Sequence, residues 1–333
     1  MPPTRAAAAA GVVAATLCLA TTRAGAVELT VPVDLATGAY RIVLDGTTWL
    51  SSGVYSATSG GKSLTSANGG LSLTRAVATS GEGRFGAYTG ASLTWSVGGL
   101  AGGLVCNIYT YAAPGVVVFE QVFPLGLNGT ALPGAGAADD LTAAFPTFGP
   151  ALPALNSSLA FLTYHDVTIK SAVGRWTSSS VDAALFGAYG GPVALFDAAG
   201  AAVVMSPASD FMVSHAAFAP SLGQAFGLGM GGAVERIPAG WTHQSVLAAG
   251  PSLNDTFVAL GDCLLALGHK NRTAPDADLH TSHLSYWADK CVRGGGPRAG
   301  VCARGARRAR AREQRAHTRP PRGSPATARG RPP

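Results

Sequence analysis

The chain has 333 residues, 47% of them apolar and 13% charged, which excludes intrinsic disorder over most of its length and leaves room for a substantial core. The formal charge of +6 hides two opposed segments: residues 290–333 carry thirteen Lys/Arg against Glu313 alone, whereas residues 1–289 carry eleven against seventeen Asp/Glu. With 44 glycines and 21 prolines, the acidic body is a turn-rich β protein and not a helix bundle.

Residues 1–26 have the layout of a secretory signal peptide. Arg5 supplies the positive start, residues 6–20 form the apolar run, and Ala24-Gly25-Ala26 is a small-x-small cleavage site. A mature, secreted chain beginning near Val27 is expected. The apolar run is too short to span a bilayer, so no membrane span is expected after cleavage. An organelle transit peptide is the alternative, because Arg5, Thr21, Thr22 and Arg23 all precede the first acid, Glu28.

From Val27 to about residue 250, short alternating or β-branched runs follow one another between glycine-rich turns. Residues 39–44 lead to Trp49-Leu50. Leu71, Leu73 and Val77 then alternate with polar or small residues, and Leu93, Trp95 and Val97 share one face of the next strand. Residues 104–111 and 115–123 flank Ala112-Ala113-Pro114 as a hairpin, and residues 193–197 and 201–206 flank Ala198-Ala199-Gly200 as another. Residues 211–218, 224–228 and 241–248 bring the strands to at least ten, predicting a large antiparallel β-sandwich of the supersandwich kind. Residues 132–140 read as a surface loop. No fixed-period repeat argues for a propeller or solenoid.

One helix departs from this pattern. Ser252-Leu-Asn-Asp255 has the form of a capping box, and Phe257, Leu260, Leu264 and Leu267 fall at helical spacing. The stripe has no partner helix in the chain, so it must pack on the sheet or on something absent.

Four sequons, at Asn128, Asn156, Asn254 and Asn271, suit an extracytoplasmic glycoprotein. Loss of Cys18 with the leader would leave four cysteines, of which Cys106 and Cys263 lie in the patterned body. They are a candidate disulfide in an oxidising compartment, or two buried thiols. Without a C-x-x-C spacing, neither a zinc site nor a redox motif is implied.

The catalytic motifs sought are missing. Gly227-Leu-Gly229-Met-Gly231-Gly232 superficially suggests a dinucleotide fingerprint, but Pro238 and Gly240 follow where a helix should open, so a glycine-rich strand end is expected. There is no nucleophile elbow, P-loop or H-E-x-x-H, and no cofactor is expected. His280 and His283 with Asp276, Asp278 and Asp289 are better read as a polar linker than as metal ligands. Glu120, Asp166, Asp197 and Asp210 are candidate glycosidase carboxylates, with turn or strand-end acids as the alternative. The arginine cluster of residues 304–319 could meet phosphate, yet it accompanies an acidic body and offers no aromatic for base stacking, so nucleic acid is not favoured. Its Arg, Ala, Gly and Pro fit out-of-frame read-through of a GC-rich gene, and the tail is expected to be disordered.

Several stretches carry a family resemblance. They are Asp34-Leu-Ala-Thr-Gly-Ala-Tyr40 with Trp49-Leu50, Phe85-Gly-Ala-Tyr88 before Leu93-Thr-Trp95, Val118-Phe-Glu-Gln-Val-Phe-Pro124, and Leu195 through Pro207. Ile237-Pro-Ala-Gly240, the helix from Ser252 and His283-Leu-Ser-Tyr-Trp-Ala-Asp289 complete the series. Together they resemble secreted protist and algal proteins related to glycoside hydrolases, with an architecture similar to the raffinose synthase and α-galactosidase group. The resemblance implies a β-sandwich over residues 27–250, a linker helix over 251–289 and then a catalytic (β/α)-barrel. After Asp289 the chain departs from that pattern with Lys290-Cys-Val-Arg, so no catalytic residue is carried over. The expected function is that of a non-catalytic N-terminal sandwich truncated before its barrel, exposing apolar faces of sandwich and helix. The alternative is a stand-alone extracellular carbohydrate-binding or adhesion module, with Tyr55, Tyr88 or Trp176 stacking on sugars.

Overall fold

The computed structural model describes residues 27–133, 140–149, 159–165, 170–176, 191–219, 222, 225–272 and 274. The expectations for residues 1–26, for Asn156 and Asp166, for the His280/His283 cluster and for residues 290–333 lie outside these. Contacts divide the chain between Asn271 and Arg272, and the architecture below belongs to the first unit.

The protein is mainly β. Strands β1 (Leu29–Thr30), β2 (Arg41–Leu44) and β3 (Thr47–Ser51) form a small antiparallel sheet turning through Asp45 and Gly46, both left-handed. After β4 (Ser56–Ser59) and β5 (Lys62–Thr65) come three long strands in succession, β6 (Leu71–Gly83), β7 (Gly86–Val97) and β8 (Leu100–Tyr111), then β9 (Val116–Phe123) and the short β10 (Leu127–Asn128). The expected alternation holds in β7, where Ala91, Leu93, Trp95 and Val97 are buried and the residues between them only half so. The expected hairpin also forms: Tyr111 faces Val116 across the turn, which sets Asn107 opposite Glu120.

The chain continues through β11 (Leu141–Phe148), β12 (Ala160–His165), β13 (Lys170–Arg175), β14 (Val193–Phe196) and β15 (Ala202–Pro207). It ends with β16 (Ser214–Ala219), β17 (Ala225–Gly231), β18 (Arg236–Ile237), β19 (Trp241–Gly250) and helix α1 (Leu253–Leu267). Nine strands make one antiparallel sheet in the order β13-β12-β14-β15-β19-β9-β8-β7-β6, and five make another, β16-β17-β11-β4-β5. One face of the large sheet meets the five-stranded and three-stranded sheets across a common core that includes Tyr40, Leu50, Trp95, Phe119, Phe145 and Phe226. This is a sandwich of two layers. Within the layer that faces the large sheet, Tyr40, next to β2, is tied to β11: its hydroxyl donates to the Thr147 carbonyl at 2.8 Å and accepts from the Thr147 N–H at 2.9 Å.

Helix α1 lies on the other face of the large sheet. Ser252 caps it, accepting from the Asp255 N–H at 3.1 Å and donating to the Asp255 carboxylate at 2.8 Å. Asp255 also sits at the positive end of the helix dipole. Leu260 and Cys263 pack into a shallow groove of small residues, Ala194, Val204, Val246 and Ala248. Of the helix stripe, Leu260 is buried on the sheet while Phe257, Leu264 and Leu267 are half-buried; Val258 is the large apolar side chain of α1 left open to solvent.

One further expectation changes. Strand β16 begins at Ser214, not at Phe211: Asp210 takes φ 53°, its carbonyl accepts from the Val213 and Ser214 N–H groups, and Phe211-Met212-Val213 becomes an exposed turn. The glycine run, as expected, forms the end of a strand: residues 227–231 are the last five residues of β17, and Gly232 begins the turn after it. Of the two states open to Cys106 and Cys263, the structure has the buried thiols; they belong to clusters on opposite faces of the large sheet.

Candidate functional site

The helix covers only the middle of its face of the large sheet. Beside it, between the carboxyl end of α1 and strands β6 to β9 and β19, a cavity of about 460 Å³ is lined by Arg84, Tyr88, Tyr109, Tyr111, Glu120 and Gln244 among others. That volume falls in the small-molecule range of roughly 300–1,000 Å³.

Strand periodicity builds the site. Asn107, Tyr109 and Tyr111 alternate with Cys106, Ile108 and Thr110, so the core claims one set and the cavity face receives the other. Asn107 and Gln244 stand opposite Glu120 on its two neighbouring strands. The row closes into hydrogen bonds: Asn107 Nδ2 donates to Glu120 Oε1 at 2.9 Å and Gln244 Nε2 to Oε2 at 2.9 Å. The Tyr109 hydroxyl adds a third donor, to Oε1 at 3.2 Å. Burial pushes the Tyr109 hydroxyl well above its ordinary range and the Glu120 charge pushes it further, so it stays protonated and donating.

The tyrosines meet edge to face. Tyr88 lies 5.0 Å from Tyr109 and 5.7 Å from Tyr111, and Phe85 lies 5.2 Å from Tyr111. Gly81 and Gly83 of β6 make room for them. A Cβ on Gly83 would come within 2.3 Å of the Tyr111 hydroxyl, and one on Gly81 within 3.0 Å of that of Tyr88. Arg84, at the hairpin tip, donates to the Ala266 carbonyl and, at 2.8 Å, to His269 Nε2, tying the hairpin to the end of the helix.

Of the stacking candidates read from the sequence, only Tyr88 is here. Tyr55 and Trp176 are 3% and 2% exposed and belong to the core. The carboxylates separate as well. Glu120 is held by Gln244, whereas Asp210 lies 3.9 Å from His243 Nδ1. Consecutive strand residues point to opposite faces, so these two acids cannot flank one glycosidic bond. Asp197 occupies the β14–β15 turn.

A second array surrounds His243. Its Nε2 lies 3.4 Å from Ser245 Oγ, and its Nδ1 lies 3.2 Å from Ser209 Oγ, which donates to Asp210 at 2.8 Å. The order Ser–His–Asp is that of a hydrolytic relay, but His243 is 0% and Ser245 1% exposed, so no substrate reaches the hydroxyl. The array fastens the chain after β15 to β19. The His243 imidazole 3.9 Å away holds the Asp210 carboxyl below its ordinary range, with burial opposing and Ser209 helping. Its contribution to stability is thus complete above about pH 4 and fades as the pH falls through the lowered value. Acid titration of unfolding is expected to be less steep below pH ~4 for Asp210→Asn than for the parent; parallel curves would remove this role.

Among the described residues, no three His, Cys, Asp or Glu side chains gather as a metal site would need, and no helix is long and apolar enough to cross a membrane. The glycine run, being strand, presents no helix N-terminus to a phosphate.

No protein-family model and no curated protein matches the chain. Solved structures to which it is similar include glycoside hydrolases. A β-arabinopyranosidase aligns at 14% identity over 68% of this chain and 39% of its own, with a TM-score of 0.44. The ligand-free α-N-acetylgalactosaminidase of Bifidobacterium bifidum aligns at 11% identity over 72% and 37%, with a TM-score of 0.44. A Glycoside Hydrolase Family 97 enzyme of Pseudoalteromonas sp. strain K8, a variant in complex with panose, aligns at 12% identity over 76% and 38%, with a TM-score of 0.46. The chain spans less than two fifths of the length of each.

Proposed function

We propose that the chain is the non-catalytic, sugar-recognising β-sandwich of a secreted carbohydrate-active protein. The observation that carries this reading is the cavity: tyrosine rings that can lie against the C–H face of a sugar line it together with Glu120 and Gln244, which are hydrogen-bonded to each other and can exchange bonds with its hydroxyls. The separation of Glu120 from Asp210 supports a binding role over a hydrolytic one, and the resemblance of residues 27–289 to glycoside-hydrolase-related proteins supports the substrate class. Titration calorimetry of the chain against galactose-, N-acetylgalactosamine- and glucose-containing oligosaccharides tests it. Binding in the millimolar range or tighter, weakened at least about tenfold in Tyr109→Ala, is expected. Failure of every sugar to bind, or turnover of aryl galactosides or glucosides, would overturn it.

Secretion belongs to the same proposal, supported by the layout of residues 1–26 and by the sequons. Asn128, Asn254 and Asn271 are exposed. Two acceptor hydroxyls are not: Thr130 and Thr256 are both 0% exposed, and their hydroxyls bond the carbonyls of Val234 and Ser252. Glycans at Asn128 and Asn254 must then be attached before the chain folds. Mass spectrometry should find both sites occupied on exported protein and both empty on refolded protein treated with oligosaccharyltransferase. Equal occupancy would contradict this order of events.

A further inference from the structure

The charge at the floor of the cavity is unmatched. Glu120 has three partners among the described residues, Asn107, Tyr109 and Gln244, and all are neutral donors. They orient the carboxylate without cancelling its charge. A carboxylate offers about four acceptor positions, two on each oxygen, and Oε2 meets a single donor. Arg84, the arginine of the lining, is exposed, and its guanidinium is set on the carbonyl end of α1 and on His269. The carbonyls there carry the helix's own partial negative charge, so Arg84 has a local partner of its own.

The walls favour a cation as well. Tyr88, Tyr109 and Tyr111 line the cavity with Glu120, and the faces of such rings carry the negative pole of the ring quadrupole. Burial first, and then neighbouring Tyr88 and Glu120, holds the Tyr111 hydroxyl above its ordinary range, which keeps it neutral beside the acid. A half-buried carboxylate within aromatic rings lacks only a positive group to repay its desolvation. A neutral sugar would stack and hydrogen-bond here but would leave that charge uncompensated.

We propose that the cavity binds a protonated amine carried on a sugar ring, an unacetylated hexosamine unit, with its ammonium facing Glu120 and its ring against the tyrosines. This rests on the sugar-binding reading above and narrows its ligand class.

The test uses the mature chain and four probes: a glucosamine trimer, the same trimer fully N-acetylated, the corresponding neutral glucose trimer, and tetramethylammonium. Calorimetry is expected to show the glucosamine trimer binding about tenfold or more tighter than either sugar lacking the charge. In Glu120→Gln, checked for folding by its thermal melt, that difference should vanish. Equal affinity for the three trimers, or a preference that survives in E120Q, would overturn the inference and leave the sugar site standing. Binding of tetramethylammonium alone, lost in E120Q, would keep the cation site and remove the sugar reading, whereas no binding of any probe removes both. Should E120Q fail to fold, the acetylated and free trimers on the unaltered chain decide the matter alone.

Discussion

Phe119→Ala is expected to destabilise the protein by about 3–5 kcal/mol. Phe119 is 0% exposed, and it sits in the middle of β9 between Ile108 and Ser245 on the neighbouring strands. Its ring lies 5.8 Å from Tyr40, 5.5 Å from Phe145 and 6.5 Å from Phe148, so it joins the large sheet to the layer that faces it. Truncation removes the apolar area and leaves a void that these rings, held by β11 and the segment before β2, cannot collapse into, which places the cost in the upper range for core substitutions. The denaturant midpoint should fall with the m-value unchanged. Phe211→Ala is the control: Phe211 is 62% exposed in the turn before β16, and its loss should change stability by less than about 0.5 kcal/mol. A Phe119→Ala protein as stable as its parent would mean that the two sheets do not share this core.

What the sequence made legible follows from how each strand is buried. Strand β7 could be read because one face meets the core, which imprints alternation on its residues, whereas β8 and β9 could be read from their β-branched and aromatic residues on either side of a turn. Strand β11 could not, because Leu141-Thr-Ala-Ala-Phe-Pro-Thr-Phe148 is buried on both faces and so shows no period, and Pro146 argues against a central strand. The structure admits Pro146 at a register shift between Ala144 and Thr147, where the ladder asks for no donor.

The site divides in the same way. Glu120 and Tyr88 were recognisable by residue type, and the β8–β9 hairpin fixes Asn107 opposite Glu120 by counting from its turn. The outward alternation of Asn107, Tyr109 and Tyr111 was thus a usable signal that residue type alone did not raise. Gln244 was beyond reach, since it stands 124 residues after Glu120 and meets it only through the order of strands in the sheet. Tyr55 and Trp176 show the converse. An aromatic residue looks the same in sequence whether it stacks on a ligand or on Trp95 or Phe226, as these two do.

Gly229→Ala is expected to cost about 3 kcal/mol, as much as a severe overpacking of the core. The run Gly227-Leu-Gly229-Met-Gly231 lies inside β17, between β16 and β11, where glycine would ordinarily weaken a strand. Its backbone at Gly229 is not left-handed, so conformational freedom is not the reason for the residue. Space is the reason. A Cβ at Gly229 would stand 2.1 Å from the Ala143 carbonyl oxygen and 2.8 Å from the Ala144 Cα, and both are main-chain atoms of β11 that cannot turn aside as a side chain could. The added methyl must push β11 and β17 apart, which opens ladder hydrogen bonds between two central strands and loosens Phe145 and Phe148 beneath them. Gly149→Ala provides the comparison, since its Cβ would meet nothing closer than the Ser52 carbonyl at 3.7 Å, an ordinary contact. Denaturation of the two variants side by side should show a large loss for Gly229→Ala and little change for Gly149→Ala. Equal stabilities would mean that β11 and β17 do not approach this closely, and the strand assignment of the glycine run would fall with them.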